Sequence, residues 1–381
     1  MRFRLILVSY SHSRFRVVWR GAWLLSAVSC SGNAFAPFAQ RDSTIVTVEF
    51  FEPLAPRETA AAYAIGDNSV MWGVSYDPST LYQRATRWRP GQPPEDIGGP
   101  GDPANGPSTN ARGANGSGVV VGFTNTDPYD WLPVRWSTAG SVDTLPSLTA
   151  PPYNGGYAYA VTDSGYVAGC SWVLTGNPEN LNAVLWSPDG TPQNLGTMGG
   201  DWSCAYGLSA AGFVVGEAGA GDHAFVWSAR AGMRDLGTLG GPNSRAWGVN
   251  QQGEVVGEAD QLAQGIPGAF IWTAAGGMRQ PDSGLAGTYS AAYAINDAGD
   301  VVGYTTSSYS GTEHAMLWRA NGSVVDLSKL SFTQGVPRLY GHALAISPSG
   351  LIAGFEYNPA TDRVEAALWR VTTQSVRAPK P

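Results

Sequence analysis

The sequence predicts an all-β fold: a seven-bladed β-propeller of four-stranded antiparallel blades, with the ring closed by an N-terminal strand that joins the last blade. Three observations predict it. A Trp recurs in seven similar contexts, at Trp88, Trp136, Trp186, Trp227, Trp272, Trp318 and Trp369, at intervals of 41 to 51 residues. Each Trp follows a short apolar segment ending in Gly, such as "VVG" at 120–122, 214–216, 255–257 and 301–303. The seventh unit stops after its Trp segment, while a surplus strand-like segment, "TIVTVEFFEPLAP", precedes the first unit.

Each unit reads as four short apolar runs. In the sixth they are "AYAIN", "GDVVGY", "AMLWR" and "SVVDLS". Runs this short, rich in β-branched and aromatic residues and bounded by turn formers, are strands, and no 3.6-residue period is long enough to propose a helix. The turn between the first two runs has Asn, Ser or Thr first and Gly fourth, as in "NQQG", "NDAG", "SAAG" and "TDSG", with "GDNS" as the degenerate first copy. A short polar side chain bonds back to the backbone there, and Gly accepts a positive φ. The third and fourth runs are joined by similar short connections, "SPDG" and "RANG" among them. A unit of this length, repeated seven times, suits a propeller. Both faces of a blade are covered by neighbours, so its strands are continuously apolar, as in "AFVW". The surplus first strand completes the last blade and removes two open edges. An open solenoid and a pair of smaller β domains are the rival architectures, and neither needs that strand.

Before the repeats, residues 1–40 read as an export signal with a short linker. Arg2, Arg4, Arg14, Arg16 and Arg20 precede an apolar stretch from Gly21 to Ser29 that is too short to span a bilayer. "LLSAVSC" has the form of a lipoprotein signal with Cys30 as the lipidated residue; cleavage after Ala36 or Ala39 is the rival. The propeller is assigned to 41–372 and a polar tail to 373–381. Localisation is expected outside the cytoplasm, as an outer-membrane lipoprotein or as a periplasmic or extracellular protein. Any membrane contact would come through the N-terminal lipid alone.

Composition narrows the partners. The formal charge is −7, and losing five arginines with the signal leaves 18 basic against 30 acidic residues, or −12. Such a surface repels phosphate backbones, which excludes nucleic acid. With Cys30 lipidated or removed, Cys170 and Cys204 remain; an exported protein can pair them, but two buried thiols fit the spacing equally. No zinc spacing occurs, and no cofactor or metal site is expected.

Binding residues are expected on the face that carries the long, divergent loops. These join the second run to the third and each unit to the next. The candidates are Asp77, Tyr82, Asp127, Tyr129, Asp130, Trp131, Tyr153, Trp172, Asp201 and Trp202, with Tyr309 and Tyr340 on the same face. Aromatics beside carboxylates stack on sugar rings or anchor a protein partner, although rings that simply cover their own blade fit the pattern as well. His223 and His314 share one repeat position and are expected to bond a neighbouring backbone group. "TDSGY" and "NDAGD" read as hairpin turns rather than calcium loops, because the remaining acidic ligands are missing. The expected function is a monomeric, non-enzymatic binding or scaffold module for a protein or glycan. A carbohydrate-active enzyme using two loop carboxylates is the alternative.

The phrases "HAFVW", "DLGTLGG" and "GVNQQGEVVGE" resemble the HAF-type extracellular repeat proteins of bacteria. The resemblance is densest over 195–320 and looser over 60–190 and 340–370. The triplet's Phe is replaced by Thr86, Val134 and Ala367 in units one, two and seven, and unit five keeps Phe270 in a broken triplet. The resemblance implies export and a β-repeat domain. It supplies no catalytic residues.

Overall fold

The computed structural model describes residues 7–9, 41–99, 108–127, 130–149, 155–173, 180–261, 265–281, 289–306, 312–328 and 340–376. They form seven antiparallel sheets, one per predicted unit. We name the strands of each blade a to d in chain order. Strands a to c are Thr59–Ile65, Met71–Tyr76 and Gln83–Trp88 in blade 1, and Ser203–Leu208, Val214–Ala218 and His223–Ser228 in blade 4. Blade 7 consists of Gly341–Ile346, Ile352–Asn358 and Arg363–Val376, with Arg41–Phe51 as its strand d. The N-terminal strand thus closes the ring, pairing Arg41 with Val376 and Phe51 with Ala366. This strand pair runs past the expected boundary at 372, because the backbone of Thr372–Val376 continues the ladder with residues 41–45. Residues 7–9 add a short fifth strand outside it.

The core is seven layers, each lying between two blades. Ala168, Ala183 and Leu185 of blade 3 meet Ala205, Phe225 and Trp227 of blade 4, and comparable clusters fill the other six interfaces. Each strand-c Trp faces the blade before it. The indole Nε1 of Trp136 donates to Gly98 O at 2.8 Å and that of Trp186 to Pro146 O at 2.7 Å, both carbonyls at the end of the preceding blade. In these blades one side chain seals an interface and satisfies its own buried donor, whereas the Trp318 and Trp369 indoles seal theirs with no such bond.

A hydroxyl at the start of strand a serves the same interface. Ser203 Oγ accepts from Ala183 N at 2.7 Å, and Ser244 Oγ from Ala224 N at 2.8 Å. On the opposite face, the predicted turns form as expected. Gly253 takes φ 77°, and Ser69, its counterpart in the degenerate copy, is held at 63°. Within "TDSGY" and "NDAGD", Asp163 accepts from Gly116 N at 2.7 Å and Asp297 from Gln251 N at 2.9 Å. Those carboxylates tie one turn to the turn of the preceding blade.

Candidate functional site

The innermost strands line the axis, and a repeated irregularity shapes them. In every blade the a–b register slips by one residue, between Ala62 and Ala64 in blade 1 and between Ala343 and Ala345 in blade 7. A β-bulge leaves the skipped residue unpaired and re-aims its side chain. The seven skipped residues are Tyr63, Arg112, Tyr159, Tyr206, Trp247, Tyr293 and Leu344. All are half-buried. They touch in succession around the axis: Tyr159 and Tyr206 at 5.0 Å, Tyr206 and Trp247 at 4.8 Å, Trp247 and Tyr293 at 6.0 Å between ring centroids. The guanidinium of Arg112 lies 4.2 Å from the Tyr63 ring. The channel is thus walled by aromatic rings and one cation.

Flanking each skipped residue are small ones, because neighbouring inner strands nearly touch. A Cβ on Gly113 would lie 2.5 Å from Tyr159 O, and one on Gly207 2.7 Å from Trp247 O.

Two residues nearer the loop face, each strand a faces strand b of the preceding blade. The chemistry differs at every interface. Tyr157 meets Phe123 edge-on at 5.0 Å. Cys204 is disulfide-bonded to Cys170, with Cα atoms 4.8 Å apart. Arg245 Nε donates to Glu217 Oε2 at 2.5 Å, and His342 stacks on Tyr304 at 3.9 Å. The bridge spans 34 residues of chain. The Cys170→Ser, Cys204→Ser double variant is expected to lose about 2–4 kcal/mol of unfolding free energy, measured by denaturant titration against the oxidised protein.

Glu217 is 2% exposed and also accepts from Tyr206 Oη at 2.5 Å. Arg245 reaches a second carboxylate, Glu258, at 3.8 Å. Burial pushes the Glu258 carboxyl up from its ordinary value, against the pull of Arg245. One guanidinium thus bridges two carboxylates at the channel mouth, one hydrogen-bonded by Tyr206 and the other raised by burial. They lie on strands b, not on loops. A further buried pair, Glu356 opposite Glu365, is 2% and 1% exposed and lies between strands b and c of blade 7.

Burial also holds the channel phenols in their neutral form. It pushes Tyr159 and Tyr304 up to about 12. Their protons are retained in the folded state while the unfolded chain ionises near pH 10. The stability they contribute is whole below pH 10 and is lost as pH rises toward 12. A titration of phenolate absorbance at pH 11 is expected to show a larger un-ionised fraction of tyrosines in the folded protein than the roughly one tenth left after denaturation.

The sequence-predicted residues fall as follows. Trp131 packs edge-on against Phe123 at 5.2 Å and tilts over Tyr157 at 6.3 Å. Trp172 lies close by, against Gly155, whose Cβ would also approach Trp131 O. These rings gather at the mouth between blades 2 and 3. Tyr340 joins the opposite rim, stacked on Phe355 at 5.4 Å. Asp127 and Asp130 are paired across strands b and c of blade 2. At the end of blade 1 Asp77 is half-buried and Tyr82 exposed; Asp77 accepts from Ser79 N at 2.8 Å, and that serine holds its carboxyl below the usual range. Trp202 donates to Asp222 at 3.0 Å within its own blade, beside exposed Asp201. Tyr129, Tyr153, Tyr309 and Cys30 lie outside the described residues.

The histidines differ from expectation. His223 Nδ1 lies 2.9 Å from Asp235 Oδ2, and His314 Nδ1 3.1 Å from Asp326 Oδ2. In both, the Nδ1 partner is a carboxylate on strand d, because the start of strand c lies beside the end of strand d. His342 occupies the same strand-a position as Cys204 and Arg245, and its Nε2 lies 2.9 Å from Glu313 Oε2.

The bulge residues were not among the sequence candidates. Their signal is a large residue between two small ones: A-Y-A, A-R-G, A-Y-A, A-Y-G, A-W-G, A-Y-A and A-L-A. Among the described residues, no group of three His, Cys, Asp or Glu is placed to hold a metal.

No family model and no curated protein matches this chain. Solved structures do. TolB from Acinetobacter baumannii aligns at 11% identity over 68% of this chain and 63% of its own, with a TM-score of 0.46. Virginiamycin B lyase from Staphylococcus aureus aligns at 9% identity over 86% of this chain and 99% of its own, again at 0.46. A puromycin hydrolase aligns at 14% identity over 83% of this chain and 55% of its own, at 0.51. The chain therefore spans less than two thirds of the TolB and puromycin hydrolase chains. At such identities the likeness is one of fold, and what this chain shares with them is the β-propeller.

Proposed function

We propose that this chain is an exported, non-enzymatic β-propeller of the HAF-repeat type that binds a glycan at the loop-face mouth of its channel. One observation carries the reading: the arc of Trp131, Phe123, Tyr157 and Tyr159, whose rings lie 5.0–6.3 Å from one another at the blade 2–3 mouth. Aromatic faces beside polar edges suit a sugar ring, which has an apolar face and hydroxylated edges. A protein partner docked on the same rim is the other form of this reading. The HAF-like phrases and the basic, apolar and small-residue N-terminus support export, and a Cys170–Cys204 disulfide suits an oxidising compartment. Removing residues 1–30 leaves all seven four-stranded blades whole. Mass spectrometry of the mature chain distinguishes lipidation at Cys30 from simple cleavage, and size-exclusion chromatography tests the expected monomer.

The test of the site is oligosaccharide binding followed by Trp fluorescence. Trp131→Ala is expected to weaken binding about tenfold, from a loss of about 1–1.5 kcal/mol. Unchanged affinity would move the site elsewhere.

A second reading, a carbohydrate-active enzyme, is favoured by the Glu217–Arg245–Glu258 bridge. Two carboxylates held by one guanidinium, one of them with its carboxyl pushed up by burial, suit acid–base chemistry. Glu258→Gln would abolish hydrolysis or elimination of a bound oligosaccharide under this reading, and would change nothing detectable under the first.

A further inference from the structure

Of the seven residues that the bulges aim at the axis, Arg112 is the only charged one. Its Nε is buried and has no hydrogen-bond partner. Among the described residues no carboxylate pairs with it, although Arg84, Arg87, Arg89, Arg245, Arg363 and Arg370 all have one. What it has instead is two rings: Tyr63 at 4.2 Å and Phe123 at 5.3 Å. Cation–π contact offsets part of the charge but uses none of the five N–H donors. The terminal guanidinium nitrogens are not among the buried unpartnered atoms, so solvent in the channel reaches them. The Tyr63 and Tyr159 hydroxyls likewise have no hydrogen-bond partner among the described residues. A rigid, half-buried fork of donors is therefore held beside two phenols, in a chain that is otherwise net acidic.

We propose that the channel is a binding site for an acidic sugar, a glycan unit whose ring bears a carboxylate, and that the carboxylate is received by Arg112. The proposal rests on the glycan reading above and makes its ligand class specific. A planar carboxylate matches the guanidinium fork with two parallel hydrogen bonds, and it supplies the counter-charge that no described residue does. The aromatic walls take the sugar's apolar face. The phenols stay neutral in the folded state and so donate to its hydroxyls. An aromatic acid would use the walls and the cation but leave those phenols idle. The Glu217–Arg245–Glu258 group carries one net negative charge when both carboxyls are ionised and repels a second acidic group, so a single carboxylate is preferred to a run of them.

The experiment is calorimetric titration of the whole mature chain with a glucuronate-terminated trisaccharide and with its glucose-terminated counterpart. Wild type is expected to bind the acidic sugar at least tenfold more tightly. Arg112→Gln is expected to remove that preference, so that the two sugars bind within about twofold of each other. Arg112→Lys, which keeps the charge but not the fork, is expected to fall between. Thermal melts accompany each variant, and because the Arg112 N–H groups bond nothing among the described residues, neither variant should melt far below wild type. If Arg112→Gln does not fold, the wild-type preference and the Lys variant decide. Equal binding of both sugars by wild type, or a preference that survives in Arg112→Gln, overturns the acidic-sugar site and leaves the glycan reading standing. Binding of neither sugar overturns both.

Discussion

Trp186→Ala is expected to lower the unfolding free energy by about 3–5 kcal/mol, with a clear fall in the urea midpoint. The ring is fully buried between blades 2 and 3, packed with Val121, Leu145, Ala158, Val167 and Val184. Truncation opens a cavity that two rigid sheets cannot collapse to fill. It also strands Pro146 O, which accepts the indole proton at 2.7 Å. A domain's whole stability is about 5–15 kcal/mol, so a loss of this size brings the protein to the edge of unfolding at body temperature. Trp202→Ala, at a half-buried ring bonded only to Asp222, is the contrast and should cost far less. Equal midpoints for the two variants would refute the interface role of the strand-c Trp.

Gly216→Ala is expected to be as damaging, for a single added methyl. The Gly of strand b pairs with the Ala that precedes each bulge, where strand a bends toward it. A Cβ on Gly216 would stand 1.9 Å from Cys204 O, a distance no real contact shows. The same approach recurs at 1.8–2.0 Å in the other six blades, from Gly73 to Gly354. Relief requires the bulge to shift, and with it the channel side chain, at a cost of at least about 3 kcal/mol. Gly207→Ala is the control. That position meets Trp247 O at 2.7 Å, but Ala64, Ala160, Ala294 and Ala345 fill it in other blades, so a mild effect is expected. Denaturant midpoints of the two variants settle the comparison, and a Gly216→Ala protein as stable as wild type would disprove the clash.

Much of this was legible because the chain states it seven times. The Trp, the Gly of "VVG" and the Gly-bearing hairpin are local demands of a blade and recur at fixed offsets. The ring closure was legible for the same reason: a missing fourth strand at one end and a spare one at the other. The small–large–small signature of the bulge was present in every unit as well. It passed as part of an apolar run because its meaning depends on where strand a lies, against the axis and one residue out of register with its partner.

Loop candidates fared differently for a physical reason. Tyr129, Tyr153 and Tyr309 lie in segments whose sequence differs from unit to unit, so repetition says nothing of where they go. Trp131 and Trp172 could be placed only once blades 2 and 3 stood side by side.

By itself, then, the sequence determined the blade: four strands, their turns, the sealing Trp, the number of copies and the strand that closes the ring. These follow from short-range chain geometry and from apolar surface that each copy must hide against the next. Only the tertiary structure decided the site. The interface contacts at one strand-a position, a disulfide at Cys204, an ion pair at Arg245 and a stack at His342, join residues 28 to 38 positions apart. The isolation of Arg112 among aromatic rings is likewise a property of the assembled channel. A side chain's partners across a blade interface depend on how seven units meet around one axis, which no single unit encodes.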